Sequence, residues 1–427
     1  MKLHLPYGRG EISCELPGER VCAVLESKLE EYNPAGTPQI LVEEAMRQPI
    51  GTKPLHVLAE GCENVVIIAS DHTRPVPSQW IIPPMLREIR RGSPAAKITI
   101  VVATGCHREM TAQEMEGKFG RALVEAETIL VHNCDDEKNL VSIGTLPSGG
   151  ELMINRTVAE ADLLVSEGFI EPHFFAGFSG GRKSVMPGVA SRRTVLANHC
   201  AAFIAHPNAR TGILHENPIH RDMLWAAQKA KLAFIVNVVL NGKKEPVFAV
   251  AGDVEEAHLA GCAFLQAHCG VTAPLADIVI TTNGGYPLDQ NIYQAAKGIN
   301  TAESAVKPGG VIIMVAKSQD GHGGEDYYRQ LTENADLQGL MERFLQRSAG
   351  QTEPDQWQTQ LLIRAMLKAK IIYVSDAEEE MVRNMHMLPA RSVEQALAMA
   401  DELLGHSRGS ITVMPDGISV MFIANQL

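Results

Sequence analysis

The chain has 427 residues, 45% of them hydrophobic and 21% charged, and its formal net charge is -12. This length predicts two or three domains with a large core, and the acidic balance argues against nucleic acid or an anionic membrane as the main partner. We find neither a signal-peptide pattern nor an apolar run near the roughly 18 residues of a membrane span, and the eight scattered cysteines form no Cys-x-x-Cys pair. A cytoplasmic enzyme with reduced cysteines is therefore expected.

Short, continuously apolar runs alternate with helical patterns along most of the chain. Such runs, bounded by polar residues, are typical of strands that helices cover on both faces. The predicted strands are Val65–Ser70, Ile98–Ala103, Thr128–His132, Leu163–Ser166, Phe234–Val239, Ile278–Thr282, Val311–Val315 and Ile371–Val374. Helices between them predict βαβ units, and hence an α/β fold with mostly parallel, doubly wound sheets.

Capping residues delimit several predicted helices. Ser392 begins one that Gly405 closes. Asp289 is predicted to cap another, which ends at Gly298.

A break near Thr272-Ala-Pro274 predicts two domains. Residues 1–271 form a cofactor-binding domain and residues 272–405 a second α/β domain, with the active site expected in the cleft between them. The tail reads as a hairpin around Pro415-Asp-Gly417. On this interpretation residues 406–427 could join the first domain.

Three polar clusters follow predicted strands, at the end where open parallel sheets bind their ligands. The clusters are Asp71-His72-Thr73-Arg74, Thr104-Gly-Cys-His107 and Glu167 through His173. Histidine suits proton exchange because its unperturbed pKa is about 6.5. Two histidines on opposite faces of a carbon centre are the minimum equipment of a racemase or epimerase, whereas purely structural, hydrogen-bonded histidines are the alternative.

Lys183 follows a glycine-rich turn that contains Ser179, Gly180 and Gly181. The glycines permit close approach of the backbone to a ligand. Lysine is usually a solvated surface residue, but a desolvated amine here could act as a nucleophile or form a covalent cofactor link. The run lacks the spacing of a Walker A motif, although its backbone amides could still hold a phosphate.

Four further residues are candidates for metal and carboxylate binding. His199 lacks nearby metal-ligand partners, and a protein-only zinc site needs three or four ligands, so a metal here would need a distant residue or an organic cofactor. Tyr293, Gln294 and Lys297 share one helical face. They could meet a carboxylate together with Arg74, although the helix dipole alone would also favour a lysine in a last turn.

Taken together, these motifs resemble the nickel-dependent lactate racemase family over nearly the whole chain. The motifs are Asp71-His-Thr-Arg74, Thr104-Gly-Cys-His107, Pro172-His173 through Lys183, His199, Tyr293-Gln294-x-x-Lys297 and Trp357. The resemblance implies a nickel-pincer nucleotide, which is a pyridinium mononucleotide bearing two sulfur substituents. Lys183 would hold it covalently and His199 would bind its Ni(II). The other implied cofactor-binding residues are Asp71, His72, Thr73, Arg74, Ser179, Gly180 and Gly181.

The same resemblance implies a racemase of 2-hydroxy acids, with lactate as the expected substrate. His107 and His173 would be the acid/base pair while hydride moves reversibly between the α-carbon and the cofactor. The implied substrate-binding residues are Arg74, Tyr293, Gln294, Lys297 and Trp357. Expected partners are the small-molecule 2-hydroxy acid and the proteins that make and insert the cofactor, with no nucleic acid and no membrane.

The side chain of the substrate is less defined. Phe174, Phe175 and Met110 are candidate apolar liners, and Arg108 or Arg182 could favour a second carboxylate, as in malate.

Three other classes of protein compete with the racemase. A nicotinamide-dependent 2-hydroxyacid dehydrogenase would need a Gly-x-Gly-x-x-Gly after a strand, which the sequence lacks. A zinc hydrolase lacks its ligand spacing. A non-catalytic organic-acid-binding protein would not need two histidines and a lysine.

Overall fold

The computed structural model describes residues 1–424 and divides the chain into two compact units. The first unit comprises Leu29–His199 and His206–Ala267, and the second comprises Met1–Lys28, Cys200–Ala205 and the chain from His268 onward. Within residues 1–424, no helix is both long enough and apolar enough to cross a membrane.

A six-stranded sheet forms the centre of the first unit. Its strands, in spatial order, are Pro246–Gly252, Leu232–Leu240, Leu163–Phe169, Asn64–Ser70, Lys97–Ala103 and Thr128–Val131. Neighbours are parallel except at Pro246–Gly252, which is antiparallel to Leu232–Leu240. The direction of winding reverses between Leu163–Phe169 and Asn64–Ser70, so ligands are expected at the carboxyl ends of these two strands.

Helices cover this sheet, and the same unit contains two separate strand pairs. The helices are Pro38–Arg47, Leu55–Leu58, Ser78–Gly92, Ala112–Phe119, Arg121–Ala126, Arg156–Ala159, Arg192–Asn198, Pro218–Lys229 and Glu256–Cys269, the last of which ends in the second unit. The antiparallel pairs join Leu140–Thr145 to Glu151–Asn155 and Pro172–His173 to Gly177–Phe178. Buried Ile67, Ile100 and Val165 of the sheet pack with Ile82 and Met85, so apolar contact holds helix and sheet together.

The second unit has its own six-stranded sheet, which is parallel throughout. Its order is Leu388–Ala390, Lys370–Val374, Val306–Val315, Ala276–Thr282, Ile411–Met414 and Val21–Val24. Its helices are Ala201–Ile204, Ile292–Ala305, Glu325–Thr332, Leu337–Gln346, Gln356–Lys368, Glu379–Asn384 and Val393–Leu404. Lys2–Tyr7 pairs with Gly10–Glu15, and Gly270–Ala273 pairs with Met421–Ala424.

The α/β class and all eight predicted strands are confirmed, but the predicted hairpin is wrong. Ile411–Met414 lies between two parallel neighbours in the second sheet, and Met421–Ala424 runs parallel to Gly270–Ala273. The chain is therefore divided differently from the predicted boundaries. Residues 1–28 and the described part of 406–427 belong to the second unit, and residues 425–427 lie outside the described chain.

The helix predicted from Asp289 to Gly298 is also displaced. It runs over Ile292–Ala305, and its cap is Asn291, whose side chain accepts from the Gln294 amide at 2.9 Å. Gly298 continues this helix, and a Cβ there would lie 2.7 Å from a carbonyl oxygen of the adjacent strand. The glycine therefore allows close packing of helix on sheet rather than ending the helix. The predicted start at Ser392 and the αL cap at Gly405 are confirmed.

Candidate active site

Asp71 orients His107 at the carboxyl ends of two adjacent strands. Asp71 is 1% exposed, and its Oδ2 lies 2.8 Å from Nδ1 of His107. Thr73 donates to the other carboxylate oxygen from its amide and its hydroxyl, at 3.1 and 2.6 Å. Burial opposes ionisation of Asp71, but these hydrogen bonds and nearby positive charge outweigh it and lower the pKa of the carboxyl.

An ionised carboxylate can only accept hydrogen bonds, so Nδ1 of His107 must be the donor. In the neutral ring, Nδ1 therefore carries the hydrogen. The lone pair then lies on Nε2, and the ring remains 42% exposed. In the neutral ring, Nε2 of His107 is therefore the nitrogen that could accept a proton, and its role as a base stays a prediction.

Arg74 and His72 flank this pair. Arg74 is exposed, and its guanidinium donates to the Thr73 hydroxyl at 2.9 Å. His72 lies 3.9 Å from Glu114, and its Nδ1 has no hydrogen-bond partner among residues 1–424. Arg108 also bonds to Glu114, at 2.8 Å, so its charge is already paired with a carboxylate.

His173 has the opposite hydrogen-bonding arrangement from His107. The backbone amide of Ala176 donates to its Nδ1 at 3.3 Å, and that of Phe175 does so at 3.5 Å. A backbone N–H can only donate, so Nδ1 accepts and the neutral ring carries its hydrogen on Nε2. The two predicted acid/base residues are thus held in complementary tautomers, one suited to remove a proton and the other to supply one.

One buried aromatic ring brings three of the predicted residues together. The Phe175 ring centroid lies 4.5 Å from that of His173 and 5.2 Å from that of His199. The Lys183 ammonium lies 6.0 Å from the same centroid. From the sequence alone Phe175 is only a candidate substrate liner, because a buried phenylalanine has no pattern that distinguishes it from ordinary core.

His199 is a buried, neutral imidazole at the end of the helix Arg192–Asn198. Its Nδ1 donates to the Val195 carbonyl at 3.0 Å, which leaves the lone pair on Nε2. Burial, with the charge of Lys183, lowers the pKa of His199 to about 3. The neutral form is the one that binds metals.

The glycine-rich turn places Lys183 next to this ring. Gly180 has φ +77°, and a Cβ there would lie 2.7 Å from both Asn237 Oδ1 and the Phe169 carbonyl. Asn237 also accepts from the Gly181 amide at 2.7 Å. The Ser179 hydroxyl accepts from the Glu171 amide at 2.9 Å, so it contributes to the turn itself.

Arg182 is fully buried within the turn and meets neutral groups. It donates to the Ala176 carbonyl at 2.8 Å and to the rings of His220 and His258 at 3.0 and 2.9 Å. Burial lowers the pKa of Arg182 to about 10. Its position contradicts the idea that it binds a substrate carboxylate.

Met110 packs in the core of the first unit. That position contradicts the prediction that it lines a substrate pocket.

The remaining predicted residues lie in the second unit. Tyr293 donates to Asp355 at 3.1 Å, and Trp357 is within hydrogen-bonding contact of the Tyr293 hydroxyl. Burial and Asp355 raise the pKa of Tyr293. The buried Oε1 of Gln294 has no hydrogen-bond partner among residues 1–424.

Lys297 lies one turn farther along the helix, which extends to Ala305. It therefore occupies a middle turn, and the helix-dipole alternative for this lysine is wrong. Asp355 was missed because nothing in the sequence distinguishes this aspartate from a surface one. A single site formed by residues of both units stays a prediction.

Two family models match the chain. The model for the lactate racemase N-terminal domain matches residues 7–212, and that for the lactate racemase C-terminal domain matches residues 271–422. Among curated proteins, the lactate racemase of Thermoanaerobacterium thermosaccharolyticum is 51% identical over 420 residues, with 98% of each chain covered. The lactate racemase of Lactiplantibacillus plantarum is 47% identical, with 98% of this chain and 99% of that protein covered.

Solved structures give a concordant result. The lactate racemase apoprotein of Thermoanaerobacterium thermosaccharolyticum superposes with a TM-score of 0.95, covering 99% of this chain and all of that one. A Thermotoga maritima protein that is 19% identical superposes with a TM-score of 0.64 over 92% of this chain, and it shares the fold alone.

Proposed function

The chain belongs to the lactate racemase family, and we propose from this premise that it interconverts the enantiomers of lactate. The observation that carries the proposal is the grouping of His173, Lys183 and His199 around Phe175. An amine for covalent attachment, a neutral imidazole and an acid/base group thus adjoin one another. None of the rival functions needs all three.

We propose a nickel-pincer nucleotide as the cofactor, and the residues present fit it. Lys183 would attach it and Nε2 of His199 would bind the nickel. The cofactor would supply the remaining nickel ligands, because one imidazole does not make a metal site. An imidazole nitrogen together with sulfur ligands would suit Ni(II). At Gly180 a Cβ would lie 2.7 Å from Asn237 Oδ1 and from the Phe169 carbonyl, so the glycine lets the turn that carries Lys183 pack closely against the sheet.

The cofactor, when bound, supplies a hydride acceptor for the α-carbon of the substrate. The chain supplies proton transfer and charge. Nε2 of His107 takes the hydroxyl proton while Asp71 holds the opposite side of the ring. His173 holds a proton on Nε2 for delivery on the other face, and the two roles exchange in the reverse reaction.

Arg74, Lys297, Tyr293 and Gln294 would bind the substrate carboxylate, and Trp357 would help enclose it. Gln294 would bind the carboxylate through its side-chain NH₂ group, because a carboxylate can only accept hydrogen bonds. Lactate is preferred to malate because Arg182 is buried and Arg108 is paired with Glu114.

We also propose a cytoplasmic location and dependence on maturation proteins. All eight cysteines are free thiols, as expected in a reducing compartment. A covalently attached cofactor has to be made and inserted by other proteins, so a host without that pathway would yield inactive protein.

The test is racemisation of L- and D-lactate by protein matured in a host with the cofactor pathway, with nickel analysis and intact mass. His107→Ala and His173→Ala should each lower kcat/KM by about 10²–10⁴, the usual contribution of a general acid or base. His215→Ala, at a ring 90% exposed, is the control. Turnover of malate or phenyllactate but not lactate would reject the proposed substrate, and retained turnover in either alanine variant would remove that histidine from the mechanism.

A further inference from the structure

One carboxylate holds both ends of the loop that carries Asp71, Thr73 and Arg74. Glu167, 2% exposed, lies on the strand Leu163–Phe169 beside the strand that leads into the loop. Its Oε1 accepts from the Ser70 amide at 2.8 Å and from the Ser70 hydroxyl at 2.9 Å. The same oxygen accepts from the Ser78 hydroxyl at 3.1 Å.

Ser70 is the last residue of the strand and Ser78 is the first residue of the next helix. These bonds therefore hold the two residues that flank the loop. Charge-assisted hydrogen bonds are roughly twice as strong as neutral ones. Glu167 therefore connects the two ends of the loop through one carboxylate oxygen.

One ammonium holds the middle of the same loop. Lys118, from the helix Ala112–Phe119, donates to the carbonyls of Arg74 and Val76 at 2.8 and 3.1 Å. Burial lowers the pKa of this lysine, while the negative charges of Glu167 and Asp71 oppose the shift. Neither Glu167 nor Lys118 has a place in the proton transfer or substrate binding proposed above.

We propose that Glu167 and Lys118 are positioning residues, which hold the 71–77 loop in the conformation that lets Asp71 orient His107 and Arg74 meet the substrate. The expected effect on turnover rests on the proposed function, whereas the expected effect on the conformation of the loop does not. A displacement of about 1 Å at a reacting group can cost about 10²-fold in rate. A carboxylate that never touches substrate can therefore be essential for turnover.

Glu167→Leu is the direct test, because it keeps the bulk of the side chain and removes the acceptor. Glu167→Gln is the conservative partner, because its amide oxygen can still accept from Ser70 and Ser78. Asp162→Asn is the matched control, since Asp162 accepts from the Glu63 and Asn64 amides at the other end of the same strand, at 3.1 and 2.8 Å.

Two measurements on the full chain separate the possibilities. Amide hydrogen exchange at Thr73 and Arg74 should become at least about tenfold faster in Glu167→Leu, since their bonds to Asp71 open with the loop. In Glu167→Gln and Asp162→Asn, the exchange rates of these two amides should stay within about threefold of those in the parent chain. In cofactor-loaded protein, kcat/KM should be about 10²-fold lower in Glu167→Leu than in the parent chain. Glu167→Gln should regain most of that loss, and Asp162→Asn should have the same kcat/KM as the parent chain.

Unchanged loop exchange in Glu167→Leu would overturn the proposal, as would an equal loss of turnover in the leucine and glutamine variants. Faster loop exchange in Asp162→Asn would assign the effect to general loosening and also overturn it. If Glu167→Leu does not fold, Lys118→Met replaces it as the test variant. The Arg74 amide should then exchange at least about tenfold faster than in the parent chain. If the parent chain racemises no 2-hydroxy acid, the proposed function fails, and the exchange comparison still decides the role of Glu167 in the loop.

Discussion

Replacing Asp71 by Asn would reverse the tautomer of His107 without removing the side chain that supports the loop. The asparagine oxygen can still accept from the amide and hydroxyl of Thr73. Its NH₂ group, however, would face Nδ1 of His107 at the present 2.8 Å contact. An NH₂ group donates, so Nδ1 would have to accept, and the ring hydrogen would move to Nε2.

The expected loss of rate follows from this hydrogen, because it removes the lone pair of Nε2. With Nε2 protonated, the neutral ring has no lone pair directed at the substrate hydroxyl, and general-base assistance worth about 10²–10⁴ in rate is lost. At 1.36 kcal/mol per tenfold, the barrier rises by about 2.7–5.5 kcal/mol. The effect on folding should be far smaller, about 1 kcal/mol, because one hydrogen bond is exchanged for another.

Conversion of L-lactate, followed by a stereospecific assay for D-lactate, measures the loss in kcat/KM. Asp136→Asn is the control, because the Asp136 side chain accepts from the Lys138 amide and the Asn139 side chain within its own short turn. A double variant decides whether Asp71 acts through the ring: in a His107→Ala background, Asp71→Asn should cause little further loss. Asp71→Asn with at least half the parent kcat, or losses that multiply fully in the double variant, would refute the reasoning.

Three other predictions concern attachment, metal and acid stability. Lys183→Ala should abolish the covalent mass increment of matured protein, and an increment that persists would place the attachment elsewhere. His199→Ala should lower bound nickel severalfold while His215→Ala does not; equal nickel in both would rule out an imidazole ligand at position 199. Burial raises the pKa of Asp277, but bonds from Lys307 and Ser410 outweigh it and bring the pKa to about 2. Its contribution to stability is therefore present above the unfolded pKa and lost as pH falls towards 2. The free energy of unfolding should fall more steeply between pH 4 and 2 in the parent chain than in Asp277→Asn, and parallel curves would contradict this.

The sequence predicted the sheets well because buried parallel strands have a strong local signal. Strands such as Asn64–Ser70 and Lys97–Ala103 are continuous apolar runs, and these two sheet neighbours are also close to each other in the chain. Ile411–Met414 has a similar local signal, but its partners lie more than 100 residues away. Local patterns do not specify such pairings, so the tail was predicted as a hairpin around Pro415-Asp-Gly417.

The candidate site was predictable only in part, and for a similar reason. Strand ends followed by polar residues predicted the loops that contain His107 and His173. The contacts around these loops were less visible, because the partners of a residue such as Glu167 or Phe175 cannot be inferred from its type. Their roles depend on contacts across the fold, such as the bonds from Glu167 to Ser70 and Ser78.

The unlike surroundings of His107 and His173 have a consequence for a racemase. Nδ1 of His107 donates to the Asp71 carboxylate, whereas Nδ1 of His173 accepts from the backbone amides of Phe175 and Ala176. The two enantiomers of lactate have equal free energies in water, so kcat/KM must be the same in both directions for the parent chain and for every variant. The asymmetry can therefore act only on kcat and KM separately. In any Asp71 variant, the ratio of the two kcat values therefore has to equal the ratio of the two KM values.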